Sequence, residues 1–352
     1  MPKSRAPRTH LKKLVTLSLL VSILSVVSGC NLLGTRTKVN VPPLLTPLVE
    51  ANRDQLISIV NSHAELHSIH GRVDLQFEDN SFAEAGIAEK YKLADGTVTL
   101  QRPGKVYLVI KVPFIATDIA QMTSDGSTFR VAVLQGAEKY HRFVKGTNDA
   151  IYEPLEINGA GTDSGDKRTM SEKETVSALS NLRPQHLTDA LMVKPIDQQV
   201  GLIYTKSEFY QDEADTRPRA KKNQRVVRGY YLMEELAEND GNVKLVRRFW
   251  FDRIGSLRLA RLQTFDDRGL LITDITYRDE RPFGGNGQVR LPARIEITRP
   301  HDRYKLNVTY QSPGSVVIDR EYNPEAFVLE NSWQLPEVDL DAGPSKKMTV
   351  NR

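Results

Sequence analysis

Apolar residues recur with a period of two along much of this chain, and this alternation constrains the fold more than any other feature. It is clear at residues 73–77, 105–112, 129–133, 289–297 and 304–310, where apolar positions alternate with more polar ones. Successive side chains of a strand point to opposite faces of a sheet, so the pattern gives one apolar and one hydrated face. Such strands are typical of antiparallel sheets that cover a core on one side.

Short turns separate these strands. Asp-Gly pairs stand at 95–96, 125–126 and 240–241, and residues 266–269 read Asp-Asp-Arg-Gly. The Arg-Pro-Gly sequence at 102–104 suits a tight reversal, because proline fixes φ near −65° and glycine accepts positive φ. Turns of this kind predict antiparallel neighbours joined by hairpins.

The apolar pattern is helical only at residues 48–68 and 185–193. An order of helix, strands, short helix and strands does not suit a parallel βαβ fold. One large sheet would leave an open edge unless it is closed or covered. The sequence therefore predicts a mainly β fold. It consists of a strongly curved antiparallel sheet that forms an incomplete β-barrel, with helices capping its open mouth.

The first 29 residues have the pattern of a signal peptide. They hold five basic residues and no acidic one, and the apolar run at 14–27 is shorter than the roughly 20 residues of a transmembrane helix. The run ends at Ser28-Gly29-Cys30, and Cys30 is the only cysteine. This ending resembles the lipobox of bacterial lipoproteins, which implies cleavage before Cys30 and its acylation, for example with palmitate. An ordinary secretory signal and an uncleaved anchor are the alternatives.

Charge and composition divide the rest of the chain. Without residues 1–29 it has 43 basic and 44 acidic residues, so we expect no nucleic-acid partner. We expect residues 30–47 to form a lipidated tether and residues 48–336 to form the folded domain. Residues 337–352 lack periodicity, so we expect a flexible tail there. Polar stretches at 146–182 and 211–224 predict loops. We expect a monomer.

Several motifs of the domain resemble those of the LolA/LolB superfamily of periplasmic lipoprotein carriers and receptors. In residues 97–106 an apolar strand ends in Arg-Pro and the next strand begins after a basic residue. A Ser-Asp-Gly turn at 124–126 precedes an aromatic strand, and the first strand begins with Gly-Arg-Val at 71–73. The resemblance covers about residues 48–133. The chain departs from the family at 129–130, where Phe-Arg replaces a frequent Trp and Tyr, and it is longer than typical members.

The resemblance implies a half-barrel cavity that binds acyl chains of lipids or lipoproteins, and a role in lipid or lipoprotein transport to the outer membrane. Arg102 would lie at the cavity rim or pair with a carboxylate. The alternative is a structural or assembly lipoprotein that binds a protein partner and fills its barrel with its own side chains. A cavity of several hundred cubic ångströms would distinguish the two. The expected cavity lining consists of inward strand residues, namely Leu75, Phe77, Leu100, Leu108, Ile110, Phe129, Val131, Leu245, Phe249 and Ile295.

The sequence offers little support for catalysis. It lacks the motifs of serine hydrolases, phosphate-binding loops and dinucleotide-binding folds, so we expect neither an enzyme nor a cofactor. His63, His67 and His70 share a helical face, but Glu65 is one position from the place that a zinc-protease motif requires. We expect no metal site there, and a helix face packed on the sheet explains the histidines. Acylation of Cys30 would place the protein in the bacterial envelope facing the periplasm, and Asn31, in place of aspartate, favours the outer membrane.

Overall fold

The protein is described from a computed structural model. The chain divides into two compact units, residues 1–42 and 43–352, and the elements below belong to the second unit. Cys30 and the predicted signal peptide lie outside the described residues. The structure describes residues 41–79, 89–90, 94–111, 117–135, 138, 141–148, 150–152, 182–197, 201–239, 241–285, 287, 289–342 and 346–347.

Strands dominate the part of the chain that the structure describes. In chain order the elements are α1 (Arg53–Ala64), β1 (Ser68–Asp79), β2 (Glu89–Lys90), β3 (Ala94–Gln101), β4 (Lys105–Lys111), β5 (Asp118–Asp125), β6 (Thr128–Val133), β7 (Arg142–Thr147), β8 (Ala150–Ile151), α2 (Pro184–Leu191), β9 (Leu202–Ala214), β10 (Arg225–Asn239), β11 (Asn242–Asp252), β12 (Arg258–Phe265), β13 (Leu271–Phe283), β14 (Val289–Arg299), β15 (Tyr304–Tyr310), β16 (Val317–Ile318), β17 (Glu337–Asp339) and β18 (Lys346–Lys347). Short 3₁₀ helices occupy Pro313–Ser315, Pro324–Phe327 and Leu340–Ala342. Among these residues no helix is long and apolar enough to cross a membrane.

Most strands belong to one curved sheet that does not close. Its order is β17-β7-β6-β5-β4-β3-β1-β15-β14-β13-β12-β11-β10-β9, and β2 and β16 add to β1. Neighbours along this path are antiparallel, except that β17 runs parallel to β7. Strand β1 joins the two halves, because it pairs with β3 on one side and β15 on the other. The predicted fold class, an open and strongly curved antiparallel sheet with few helices, is confirmed.

Local sequence explains the start of α1. Asn52 accepts a hydrogen bond from the Gln55 amide at 2.9 Å, and the Gln55 side chain accepts one from the Asn52 amide at 2.8 Å. This reciprocal cap satisfies amide groups that have no partner inside the helix. The helix buries Leu56, Ile57 and Val60, which recur at helical spacing. It is shorter than the predicted 48–68.

Residues 49–51 do not join α1, because a buried arginine holds them against the sheet. Arg253 is fully buried, and its Nε donates to the Val49 carbonyl at 3.1 Å. Its other nitrogens donate to the carboxylates of Glu50 and Glu208. The guanidinium also lies 4.2 Å from the centre of the Tyr231 ring. These ties to β9–β11 compete with helix formation before Asn52.

Two further expectations need correction. Asp95 and Gly96 do not form a turn but lie inside β3, paired with β1 and β4. A side chain at position 96 would approach Val73 and Leu75 to 3.1–3.2 Å, so glycine permits this close packing. The predicted tail from 337 also begins with order, since β17 pairs with β7. The turns at 125–126 and 266–269 are confirmed.

Candidate functional site

Most positions that the alternation predicts as inward share one buried apolar core on the concave side of the sheet. Phe77 is half-buried beside this core and stacks on Tyr304. Leu245 is half-buried and lies outside the core cluster. The eight core positions are Leu75, Leu100, Leu108, Ile110, Phe129, Val131, Phe249 and Ile295.

Two helical segments cover this core. We use the name cover for α1 together with residues 182–197, which contain α2. Helix α1 contacts β12, whereas α2 contacts β4, β5 and β14. The cover therefore spans the concave face from one half of the sheet to the other. Its buried apolar side chains are Leu56, Ile57, Val60, Leu182, Leu187, Ala190, Met192, Val193 and Ile196.

A small cavity lies between the cover and the sheet. Its volume is about 20 Å³, which is room for about one water molecule. Burial lowers the pKa of the His63 imidazole more than the nearby Glu280 carboxylate raises it. The lining is therefore uncharged at neutral pH. Of the ten predicted lining residues only Ile295 borders this cavity. The residues around it are His63, Leu66, Ile69, Ala190, Leu191, Val193, Leu259, Tyr277, Leu291, Pro292, Ile295 and Tyr310.

Arg102 ties residues 182–197 of the cover, and the chain just after α1, to the β3–β4 turn. Its Nε donates to the Leu66 carbonyl at 2.8 Å, and one terminal nitrogen donates to the Val193 carbonyl at 2.9 Å. The other terminal nitrogen lies 3.5 Å from the carbonyl oxygen of Met192, the residue that ends α2. Helix C-terminal carbonyls carry partial negative charge and attract a cation. Burial lowers the guanidinium pKa. Arg102 therefore lies beside the cavity, with carbonyl partners in place of a carboxylate.

Other hydrogen bonds join the cover to itself and to the sheet. The Asn61 side chain binds the backbone of Ile196 twice, accepting from its amide at 2.8 Å and donating to its carbonyl at 3.2 Å. The Tyr277 hydroxyl donates to the Ala190 carbonyl at 3.0 Å. Each of these bonds ends on backbone atoms of residues 190–196. The position of this segment thus depends on side chains that are distant in sequence.

Arg247 makes a similar tie at the far end of the cover. It donates to the carbonyls of Lys194 and Pro195 at 3.1 and 3.2 Å. The buried Glu235 carboxylate accepts two hydrogen bonds from the same guanidinium and orients it. Arg247 interrupts the apolar alternation of β11. The sequence shows this break, but it does not show which groups Arg247 binds.

Sequence reasoning missed a polar contact beneath the start of α2. The His186 Nδ1 is within hydrogen-bond distance of the Tyr304 hydroxyl, and its Nε2 lies 4.0 Å from the Asp302 carboxylate. Burial, reinforced by nearby Arg299, lowers the His186 pKa well below its ordinary value. The imidazole is therefore neutral at pH 7. The alternation shows that Tyr304 faces inward, but no local pattern shows that a histidine will reach it.

The three histidines of the predicted helical face separate in the structure. His63 borders the cavity, whereas His67 lies after the end of α1 with its Nε2 2.9 Å from the Glu321 carboxylate. His70 belongs to β1, and its Nδ1 lies 2.8 Å from the Thr99 hydroxyl. Within the described part of the chain, no three His, Cys, Asp or Glu side chains are grouped to hold a metal ion.

Comparisons with known proteins concern the fold. No protein-family model and no curated protein matches the sequence. Among solved structures, the chain is similar to a LolA superfamily protein from Nitrosomonas europaea, with 10% identity and a TM-score of 0.36 over 77% of this chain and 96% of that one. It is also similar to a DUF1329 family protein from Desulfovibrio piger, with 11% identity and a TM-score of 0.37 over 78% of this chain and 95% of that one.

A third similar structure is described as an outer membrane lipoprotein-sorting protein domain from Vibrio parahaemolyticus. It has 10% identity and a TM-score of 0.38 over 78% of this chain and 97% of that one. The first of these neighbours is named for the superfamily that residues 48–133 resemble. At these identities the likeness concerns the fold alone.

Proposed function

We propose that this protein is a membrane-anchored lipoprotein of the bacterial envelope that binds acyl chains between the concave face of its sheet and the cover. The acyl chains would belong to lipids or lipoproteins in transit to the outer membrane. The observation that carries the proposal is the construction of the cover, which is apolar beneath and tied at its edges by hydrogen bonds. The proposal includes no catalytic step.

Among the described residues, the cavity between the cover and the sheet has no room for an acyl chain. Ligand pockets commonly measure about 300–1,000 Å³, and the cavity here is about 20 Å³. Binding therefore requires the cover to move away from the sheet. An acyl chain would then replace the apolar contacts that the cover loses, at about 0.8 kcal/mol for each buried CH₂.

The ties of the cover suit such a movement. Arg102, Asn61 and Arg247 bind backbone carbonyls of residues 193–196 and of Leu66. The side chains of Arg102 and Asn61 are half-buried, so water can take over these bonds when the cover opens. Such a bond contributes about 0.5–1.5 kcal/mol net between neutral groups and about 1.5–3 kcal/mol when the donor is charged.

The small cavity favours a second function. If the cover never opens, the sheet encloses its own side chains and the protein is a structural or assembly lipoprotein that binds a protein partner. The cavity volume of about 20 Å³ is the observation that supports this second function. The two functions differ in whether a lipid enters the interior.

A binding experiment separates them. We would purify the full lipoprotein, look for a co-purified lipid by native mass spectrometry, and measure the association rate of a fluorescent fatty acid. Asn61→Ala removes both bonds to Ile196 and should accelerate association. Ser62→Ala is the matched control, since Ser62 is exposed and, among the described residues, its side chain bonds only within α1. If no lipid co-purifies and neither the native protein nor Asn61→Ala binds the probe, the carrier function is wrong.

A further inference from the structure

The hairpin between β9 and β10 carries a concentration of positive charge. Five basic residues lie in its connecting loop, residues 215–224, and at the first position of β10. Two of them are neutralised locally. Arg217 binds the Asp215 carboxylate at 2.8 Å, and Arg225 binds the Asp212 carboxylate at 2.8 Å.

The other three cations lack such a partner among the residues that the structure describes. Arg219, Lys221 and Lys222 are exposed, and within that part of the chain their side chains make no ion pair or hydrogen bond. Three free cations within four residues repel one another, and the paired acids at the base of the hairpin do not reach them. A surface of this kind is complementary to an extended negative charge.

The backbone of the tip displays these side chains in a fixed loop. Two successive turns close with hydrogen bonds from the Ala220 amide to the Arg217 carbonyl and from the Gln224 amide to the Lys221 carbonyl. Arg219 has φ of 72°, a left-handed conformation that glycine adopts without cost and other residues rarely adopt. Arginine at this position is therefore not explained by backbone stability. A glycine at position 219 would lack the positive charge that the arginine supplies.

The hairpin adjoins the point where the N-terminal segment joins the domain. The Pro43 carbonyl accepts from the Val227 amide, and the Leu45 amide donates to the Val227 carbonyl, both at 2.9 Å. Val227 is the third residue of β10, so residues 43–45 lie directly beside the part of the hairpin next to its connecting loop. Twelve residues of sequence, 31–42, lie between Cys30 and Pro43.

From this arrangement we infer that the β9–β10 hairpin binds the anionic headgroups of the membrane that holds the protein, through Arg219, Lys221 and Lys222. The inference rests on the acylation of Cys30 in the proposed function. The remainder of the chain after residue 29 is close to neutral, so this hairpin would fix which end of the domain faces the bilayer. A basic residue near an anionic surface strengthens the contact about fivefold.

The experiment places a fluorophore on the hairpin of the full lipoprotein. Thr216→Cys provides an exposed attachment point, and the parent protein is treated in parallel so that any dye on Cys30 is subtracted. The protein is inserted into vesicles of phosphatidylcholine, with or without 30% phosphatidylglycerol, that contain a headgroup-labelled quencher. We expect quenching on the anionic vesicles, and loss of it at high salt. Flotation with the neutral vesicles reports the lipid anchor separately.

Charge variants decide the role of the cations. Lys221→Gln with Lys222→Gln should weaken the hairpin contact about 30-fold, and Arg219→Gly about fivefold without loss of thermal stability. The control is Lys244→Gln with Arg268→Gln, which removes two charges outside the hairpin, one in β11 and one in the β12–β13 connection. Equal quenching on both vesicle types, or in both double variants, would overturn the inference. A protein that fails to bind the fatty-acid probe but shows charge-dependent quenching would refute the carrier function and retain this one.

Discussion

Replacing Arg102 with alanine should release the cover more than it weakens the sheet. The variant loses two well-formed hydrogen bonds from a charged donor, at 2.8 and 2.9 Å, and a weaker one at 3.5 Å. Such bonds contribute about 1.5–3 kcal/mol each, but water can reach this half-buried side chain, so we expect a total loss of about 2 kcal/mol. That loss raises the open population of the cover about 30-fold.

The sheet should hardly change, because the backbone bond from the Arg102 amide to the His67 carbonyl does not depend on the side chain. Hydrogen exchange measures the two regions in one experiment. The amides of residues 188–192 should exchange about 30-fold faster, while those of β3 and β4 keep their rates. The fluorescent fatty acid should associate faster in the same proportion. Arg102→Lys keeps the charge and loses the fork of the guanidinium, so its effect should be smaller.

Arg261→Ala is the control for a general loss of stability. Arg261 pairs with Asp274 and stacks on Trp250, and among the described residues it makes no hydrogen bond to the cover. It should therefore lower the free energy of unfolding without a selective change in residues 188–192. If Arg102→Ala accelerates exchange equally in the cover and the strands, and leaves fatty-acid association unchanged, Arg102 is a structural residue and the reasoning fails.

Four other experiments test separate parts of the molecule. Cys30→Ala should abolish incorporation of a fatty-acid analogue, and equal label on both proteins would contradict the acylation. Leu108→Trp should lower the free energy of unfolding in urea by about 1–3 kcal/mol, because Leu108 is fully buried and does not border the cavity; unchanged stability would reveal space that the closed structure lacks. A hydrogen bond from the Arg217 side chain lowers the Asp215 pKa to about 2. A carboxyl whose pKa is lower in the folded state stabilises that state at pH values above its unfolded pKa, and this stabilisation is lost as the pH falls through its folded pKa. NMR of the hairpin amides should therefore show an ordered hairpin at pH 5 and loss of that order only from about pH 4 towards pH 2; loss above pH 5 would contradict this. Arg253→Met should cost about 2–3 kcal/mol and expose residues 43–51 to protease, and a variant as resistant as the native protein would show that Arg253 does not hold that segment.

Local pattern was sufficient to predict the class of fold and the inward side of most strands. The side-chain period of a strand is fixed by its backbone, so Leu100, Leu108 and Ile295 could be placed on the apolar face without knowledge of their neighbours. The turn at 125–126 was equally local, because the Asp125 carboxylate accepts from the amides of Ser127 and Thr128.

Contacts between distant residues overrode other local signals. Asp95-Gly96 has the composition of a turn, yet β1 and β4 pair with it on both sides. Residues 48–52 have a helical apolar pattern, yet Arg253 and Tyr231 bind the backbone of Val49 and Ala51, which stay outside α1. The tail from 337 lacks periodicity, yet it adds a short parallel strand to β7.

The sequence by itself determined that one face of a large sheet is apolar and which residues form most of it, because both follow from alternation along each strand. Only the tertiary structure decided what fills the space beside that face. Whether Leu108 meets a ligand or another side chain depends on where residues 182–197 come to lie, and Asn61, Arg102 and Arg247 position that segment from three distant places in the chain. Close packing depends on volumes that non-local contacts bring together, and these have no signature in the local pattern.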